Sequence, residues 1–385
     1  MLRIFLSTSH LSALFMALHA KKTHSSSCTD ILLIESPKMK QSLVNLIHDT
    51  SHIHKWNEIH DFALRVSDVQ DMKPSFRKTF IRKLKTKPIA KQVYNILYSS
   101  HVKKESKKLQ NQIHSLLQKH ISSSRKVELN LLMETTLNPV LKNIFPEAKV
   151  RYFEHGLGDY LFVENPTHHH KDFYCVFSEQ LKKYLDEKNI KNNFVFPVVS
   201  VADFENASRE VIKNHPDSDL INTLSQDKYP SVLILMESVE IYNVKKTFWG
   251  EYMERCIAQI SNPNEFIYLL KPHPTQSLES IEMTKSFFEN KNLKYKLLDQ
   301  PALTGMSAEV LFSAWKNNIH HVFALFSSSV FYLSALYPDP DITYHYSCEF
   351  MAKHISDAPE QYKKHFIRLK ELIEKVFSAN CQSFS

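Results

Sequence analysis

Four glycines in 385 residues constrain this chain more than any other feature. Average usage of about 7% would supply roughly 27. Gly156, Gly158, Gly250 and Gly305 cannot be arranged as GxGxxG or as GxxxxGKS/T, so the glycine-rich dinucleotide fingerprint and the phosphate loop are both excluded. Two of the four fall within Glu154-His155-Gly156-Leu157-Gly158-Asp159, which singles that stretch out.

The hydrophobic pattern points to an α/β protein. An apolar run at Leu2–Ser7, an amphipathic stretch from Leu11 to Ala20 capped by Ser9 or Ser12, and a second apolar run at Asp30–Glu35 read as strand, helix and strand. Strands apolar on both faces belong to parallel sheets covered by helices. Further strands are expected at 127–134, 150–153 and 173–178, and a second series at 231–237, 265–270, 295–298 and 321–326. Helices are expected at 248–260, 277–290 and 359–377. The pattern loosens between about Phe196 and Tyr229, which places an N-terminal domain at 1–210 and a C-terminal domain at 211–385. Two doubly wound, Rossmann-like domains facing a central cleft are the expected architecture.

Charge is distributed unevenly. From Lys73 to Lys126 there are 15 Lys or Arg and one acid, a net +14, whereas the whole chain carries +7. This largely helical segment suits a polyanion or an anionic membrane surface better than an ordinary solvated face. Its aromatic residues Phe76, Phe80, Tyr94 and Tyr98 fall at helical intervals suited to packing, so nucleic acid is not the expected partner. Five widely spaced cysteines form no CxxC pair, and no run offers about 20 uninterrupted apolar residues. A cytoplasmic location is expected. Three adjacent histidines, His168, His169 and His170, lack ligand spacing and read as a solvated loop, and no metal is expected.

Three motifs lie just past strand ends, where open α/β sheets bind ligands. Glu154, beside Gly156 and Gly158, is suited to general-base work if the cleft desolvates it and another backbone or a ligand can approach. In Lys271-Pro272-His273-Pro274 two prolines fix the backbone around His273, placing an imidazole where it can assist a leaving phosphate, with Lys271 adding positive charge. Ser327-Ser328-Ser329, with a helix expected from about Val330, offers hydroxyls and N–H groups to an anion, although plain helix capping explains serines equally well. Glu309, at the start of another helix, can hold a ribose diol or be an ordinary first-turn acid.

In this order, Glu154-His155-Gly156, His273-Pro274 and Ser327-Ser328 resemble the motifs of bacterial GT-B sialyltransferases, most closely the capsular α-2,8-polysialyltransferase family. The opening Ile4-Phe5-Leu6-Ser7-Thr8-Ser9 followed by a helix is similar to theirs. The resemblance implies an inverting, metal-independent transfer of sialic acid from CMP-sialic acid. It implies Glu154 as the base, His273 as the residue assisting CMP departure, and Ser327 and Ser328 on the phosphate, with Gly156, Lys271, Pro274 and Glu309 also lining the substrate site. His155 stands where many members carry a second acid. The acceptor would be a capsular polysaccharide or lipooligosaccharide, held in part by Lys103, Lys104, Lys107 and Lys108, with peripheral contact at the inner membrane or with capsule-assembly proteins. Another CMP-linked acidic sugar such as Kdo asks for the same chemistry, and a non-catalytic polyanion-binding protein would keep the fold without it.

Overall fold

The computed structural model describes residues 1–35, 47–62, 107–133 apart from 123 and 125, 135–164, 171–191, 194–224, 229–245 apart from 240, 241 and 243, 247–355 and 358–384. Two sheets carry the fold. The first holds β1 (Leu2–Ser7), β2 (Thr29–Glu35), β3 (Glu58–Phe62), β4 (Val127–Leu132), β5 (Lys149–Phe153), β6 (Asp172–Cys175) and β7 (Val195–Pro197), in the order β3-β2-β1-β4-β5-β6-β7. The second holds β8 (Ser231–Leu235), β9 (Ile267–Lys271), β10 (Tyr295–Leu297), β11 (Ile319–Ala324), β12 (Thr343–Tyr346) and β13 (Gln382–Ser383), in the order β10-β9-β8-β11-β12-β13. Every pairing is parallel. The chain reverses direction across each sheet at β1/β4 and at β8/β11, so the crevices at those strands' C-terminal ends are the natural ligand positions.

Burial explains the strand sequences. All six residues of β1 and all five of β8 are buried, so both faces are apolar. The helix His10–Thr23 starts at a capping box in which Ser9 accepts from the Ser12 N–H and Ser12 accepts from Ser9. It is not the amphipathic helix expected, because the sheet covers one side and the helix Val201–Asn214 covers another, with Phe15 against Phe204 at 5.8 Å. Ten of its residues are buried as a result.

Glycine scarcity has two structural answers. Among the described residues, the three non-glycines at positive φ are all asparagines, Asn189, Asn262 and Asn292, and two of them close helices: Ile190 N–H reaches Leu185 O and Leu293 N–H reaches Phe288 O across the left-handed residue. Loops at strand ends are tied by buried glutamates. Glu35 accepts from the Thr136 and Leu137 N–H groups, Glu154 from Val176, and Glu237 from Leu325, Phe326 and Ser327.

The terminal helix Glu360–Leu372 and the turn Ile373–Phe377 bury Phe366, Leu369, Leu372, Ile373 and Val376 as the periodicity requires. They follow the second sheet in sequence yet pack on helices of the first, where Phe377 meets Tyr160 at 4.7 Å and Phe177 at 5.0 Å. Of the basic segment, the described part is the helix 107–122, which buries Leu109, Ile113 and Leu117 and leaves Lys107 and Lys108 exposed. Lys103, Lys104 and the three histidines 168–170 lie outside the described residues. Among the described residues no helix is long and apolar enough to cross a membrane.

At the opposite end of the first sheet, the buried Asp30 carboxylate accepts from Arg3 Nε at 2.6 Å and Nη2 at 2.5 Å and faces His54 Nε2 at 2.9 Å and His24 Nδ1 at 3.0 Å. His24, Asp30 and His54 have the spacing of a cation site, but the guanidinium already engages both carboxylate oxygens. Burial pushes the Asp30 pKa up, and the hydrogen bonds from His54, Arg3 and His24 outweigh it, holding the carboxyl well below the usual range. Asp30→Ala should cost about 3–5 kcal/mol in urea unfolding at pH 7, because it strands a buried guanidinium. The stabilisation from Asp30 is present above the ordinary carboxylate pKa of about 4 and is lost as pH falls below it, so the variant and wild type should converge in acid.

Candidate active site

The three motifs do lie at strand ends, and the structure joins them. Glu154 directly follows β5, and its N–H continues the ladder to Tyr174 O at 3.1 Å. Its carboxylate is fully buried. Oε1 accepts from Val176 N–H at 2.5 Å, and Oε2 accepts from Tyr160 Oη at 2.5 Å and Tyr332 Oη at 3.0 Å. Tyr332 belongs to the helix Ser328–Leu336, which follows β11. The motif of the first sheet is therefore bonded directly to the helix that begins at the serines of the second. Tyr160 and Tyr332, the two hydroxyl donors, pack in turn against Phe177, and Tyr160 also against Phe377.

Enclosure sets the chemistry of Glu154. Burial, opposed by the three donors and reinforced by Asp159, lifts its pKa to about 8. Desolvation and a raised pKa are the conditions that general-base work by Glu154 requires, although its carboxyl has no exposed surface in this conformation. The neighbouring glycines differ from expectation: neither has a positive φ, and a Cβ on Gly156 or Gly158 would meet nothing within 4 Å. Among the described residues no other backbone approaches them.

His155 is presented differently. Its ring is 34% exposed, and Nδ1 lies 2.7 Å from Asp159 Oδ2, an oxygen that also accepts the His155 N–H at 2.7 Å. Asp159 itself is 2% exposed, in the first turn of the helix Gly158–Val163.

The Lys271–Pro274 motif divides at the strand end. Lys271, the last residue of β9, is buried; its Nζ donates to Leu303 O at 3.0 Å, and burial lowers its pKa to about 8 against the attraction of Glu309. His273 and Pro274 are exposed. His273 Nδ1 accepts from the Thr275 N–H at 3.2 Å and lies 2.8 Å from the Thr275 hydroxyl, an arrangement that assigns the ring hydrogen to Nε2.

The helix after β11 starts at Ser328, two residues earlier than expected, because Ser327 is its cap and accepts from Ser329 N–H at 3.3 Å. Beneath it, Glu237 Oε1 accepts from Leu325, Phe326 and Ser327 at 2.8–2.9 Å. Burial, opposed by those three donors, brings Glu237 to about 7. These three amides are therefore already engaged. Glu309, in the first turn of the helix Ala308–Trp315, is 1% exposed; the Ser307 and Ser329 hydroxyls lie near it, yet neither carboxylate oxygen has a hydrogen-bond partner of full geometry. His10 crosses from the first sheet to receive the Ser307 N–H at 3.4 Å, and burial, then His215 and Lys271, lowers its pKa to about 3.

Sequence reasoning missed Glu237, Asp159, Tyr332 and His10. Glu237 carries a readable signal, an acid closing an apolar run as Glu154 does, and Asp159 stands four residues after a histidine. Tyr332 and His10 carry none, because their partners lie 178 and 297 positions away.

Known proteins place this arrangement. A family model described as alpha-2,8-polysialyltransferase (POLYST) matches residues 3–346. The chain belongs to the alpha-2,8-polysialyltransferase family. No curated protein sequence matches it. Among solved structures, the GT-B domain (residues 113–497) of a Photobacterium damselae sialyltransferase is similar over 100% of both chains at 9% identity and a TM-score of 0.52. A Staphylococcus aureus MnaA–UDP complex is similar over 97% of this chain and 87% of that one, at 10% identity and a TM-score of 0.52. At such identity the likeness is one of fold, and the fold is GT-B. Membership of the polysialyltransferase family makes this protein a glycosyltransferase of the sialyltransferase class, with a nucleotide-sugar donor and a glycan acceptor.

Proposed function

We propose that this polysialyltransferase-family protein transfers sialic acid from CMP-sialic acid to an anionic glycan, with inversion and without a metal. The observation that supports the reading best is the union of the motif loops at one seam. Tyr332, one turn into the serine-capped helix, bonds Glu154, while Lys271, two residues before His273, faces Glu309 beside those same serines. In this reading Ser327, Ser328 and the helix N-terminus bind the CMP phosphate. Glu309 takes the ribose hydroxyls, its two unpaired oxygens matching two O–H donors. The His273 Nε2–H hydrogen-bonds the phosphate as the glycosidic bond breaks, and Pro272 and Pro274 hold that loop in place. Gly156 leaves room for the acceptor, and the base comes from the Glu154–Asp159 loop. These groups supply the charge and proton handling that an oxocarbenium-like transfer asks of a protein.

The direct test offers a panel of CMP- and UDP-sugars, including CMP-Kdo, with and without EDTA, and reads which nucleotide is released. CMP release from CMP-sialic acid that resists EDTA is expected; release of UDP, or a strict Mg²⁺ or Mn²⁺ requirement, would contradict the reading.

The acceptor side draws on the basic segment, which would also suit a site at the inner face of a membrane near capsule-assembly proteins. Changing Lys103, Lys104, Lys107 and Lys108 to Glu should raise the acceptor KM several-fold and shorten any polymer, with the donor KM unchanged. Raising salt from about 0.05 to 0.5 M should mimic this in the wild type, since the screening length is roughly 10 Å at 0.1 M. An acceptor KM indifferent to both changes would leave the segment a solvated face.

A further inference from the structure

Glu237 stands two residues past the end of β8, beside β11, at the crevice where the second sheet reverses direction. It is buried, and its Oε1 accepts from Leu325 N–H at 2.8 Å and from Phe326 and Ser327 N–H at 2.9 Å. Successive amides of an extended chain point to opposite sides, so three in a row reach one oxygen only where the chain curls around it. Without that oxygen the turn would hold three donors and no acceptor.

This turn ends at Ser327, the cap of the helix Ser328–Leu336. The segment that carries Glu237 is fixed on its other side as well: Met236 N–H donates to Lys271 O at 2.9 Å, and Lys271 stands two residues before His273. One acid therefore lies between the serine loop and the strand end that leads into the His-Pro pair. We propose that Glu237 is a positioning residue of the donor site, whose carboxylate sets the turn 325–327, and with it the place of Ser327 and Ser328, before the nucleotide arrives. The assignment rests on the reading of that turn and helix as the phosphate site. Glu237 acts through the turn and not on the sugar or the phosphate. Order present before binding lowers the cost of binding in ground and transition states alike, so its loss falls on the donor KM and spares kcat.

The test uses the full chain with CMP-sialic acid as donor and CMP as competing ligand, or with the UDP-sugar and UDP if the donor panel selects them. Glu237→Ala should raise the donor KM and the inhibition constant of the free nucleotide about tenfold or more, with kcat at saturating donor within about threefold of wild type. Glu237→Gln keeps a carbonyl oxygen in the place of Oε1 and should hold both constants within about threefold, the margin left by a neutral acceptor's weaker hydrogen bonds. Glu237→Asp withdraws the oxygens by one methylene and should raise the donor KM several-fold; it carries the comparison if Glu237→Ala does not fold. Glu35→Ala is the control for stability alone. It takes a buried carboxylate from the Thr136 and Leu137 amides in the other sheet, so it should lower the urea midpoint and leave the donor KM within about threefold.

A folded Glu237→Ala protein whose donor KM stays within about threefold of wild type overturns the proposal, as does a Glu237→Gln protein impaired as much as Glu237→Ala. A donor KM that rises equally in Glu35→Ala and Glu237→Ala assigns both to general stability and also overturns it. The phosphate reading fails separately. Ser327→Ala with Ser328→Ala keeps the three amides on Glu237, so a donor KM unchanged in that protein removes the hydroxyls as the phosphate contact, whereas a rise in Glu237→Ala still places the turn at the donor.

Discussion

Glu154→Ala is expected to destabilise the protein by about 3–5 kcal/mol, the largest loss from any single change at the seam between the two sheets. Three donors, Val176 N–H, Tyr160 Oη and Tyr332 Oη, would lose their acceptor in a fully buried site. A void would also open between Tyr160 and Tyr332. Tyr332→Phe, which removes one of three donors, should cost about 1 kcal/mol. The pH dependence has the opposite sign to that of Asp30. Unfolded, Glu154 releases its proton near 4.5; folded, it holds the proton to about 8. Its contribution is complete below 4.5 and is lost progressively as pH rises to about 8, so stability should decline over that window. Glu154→Gln carries no such proton and should flatten the decline. Urea titrations of the three proteins at pH 5 and pH 8 check this; a wild-type Glu154 contribution that grows with pH would show the carboxylate ionised in its enclosure.

His273→Ala should lower kcat by about 10²- to 10³-fold with a nearly unchanged donor KM, the signature of an interaction that strengthens as charge develops on the departing phosphate. The reason is the tautomer. Because the Thr275 N–H points at Nδ1, the hydrogen sits on Nε2, and the ring is a fixed hydrogen-bond donor. Thr275→Val, which removes the second partner of Nδ1 and keeps the backbone one, should reduce kcat only a few-fold. Ser327→Ala with Ser328→Ala should act on the donor KM instead, since in the proposed reading those hydroxyls meet the phosphate in the ground state too. Equal changes in kcat and KM across the histidine and serine variants would remove the distinction between holding the donor and assisting its departure.

The strands that were legible are the buried ones. Leu2–Ser7, Asp30–Glu35 and Ser231–Leu235 are covered by helices on both faces, so burial is written into each residue and the run is visible without knowledge of the fold. The strands β3, β7, β12 and β13 went unseen. They are two to five residues long and lie at or near sheet edges, and β3, Glu-Ile-His-Asp-Phe, is mostly polar because only Phe62 is buried. Short partners borrow their order from a neighbour already in place, and local sequence does not record a neighbour.

The same division runs through the active site. Which residue types stand at the strand ends, the missing glycine loops, the prolines that fix His273 and the cap at Ser327 are local facts, set by backbone preferences within a few residues, and the sequence alone determined them. Which of two adjacent side chains is sealed and which is presented was decided only in three dimensions. Glu154 and His155 follow one another in the chain. The first is fully buried, and one of the groups that close over it is Tyr332, 178 positions on, whose hydroxyl bonds its carboxylate. Desolvation depends on everything within a few ångströms, whatever its place in the sequence, so the protonation of a carboxyl is a property of the packed structure and not of its motif.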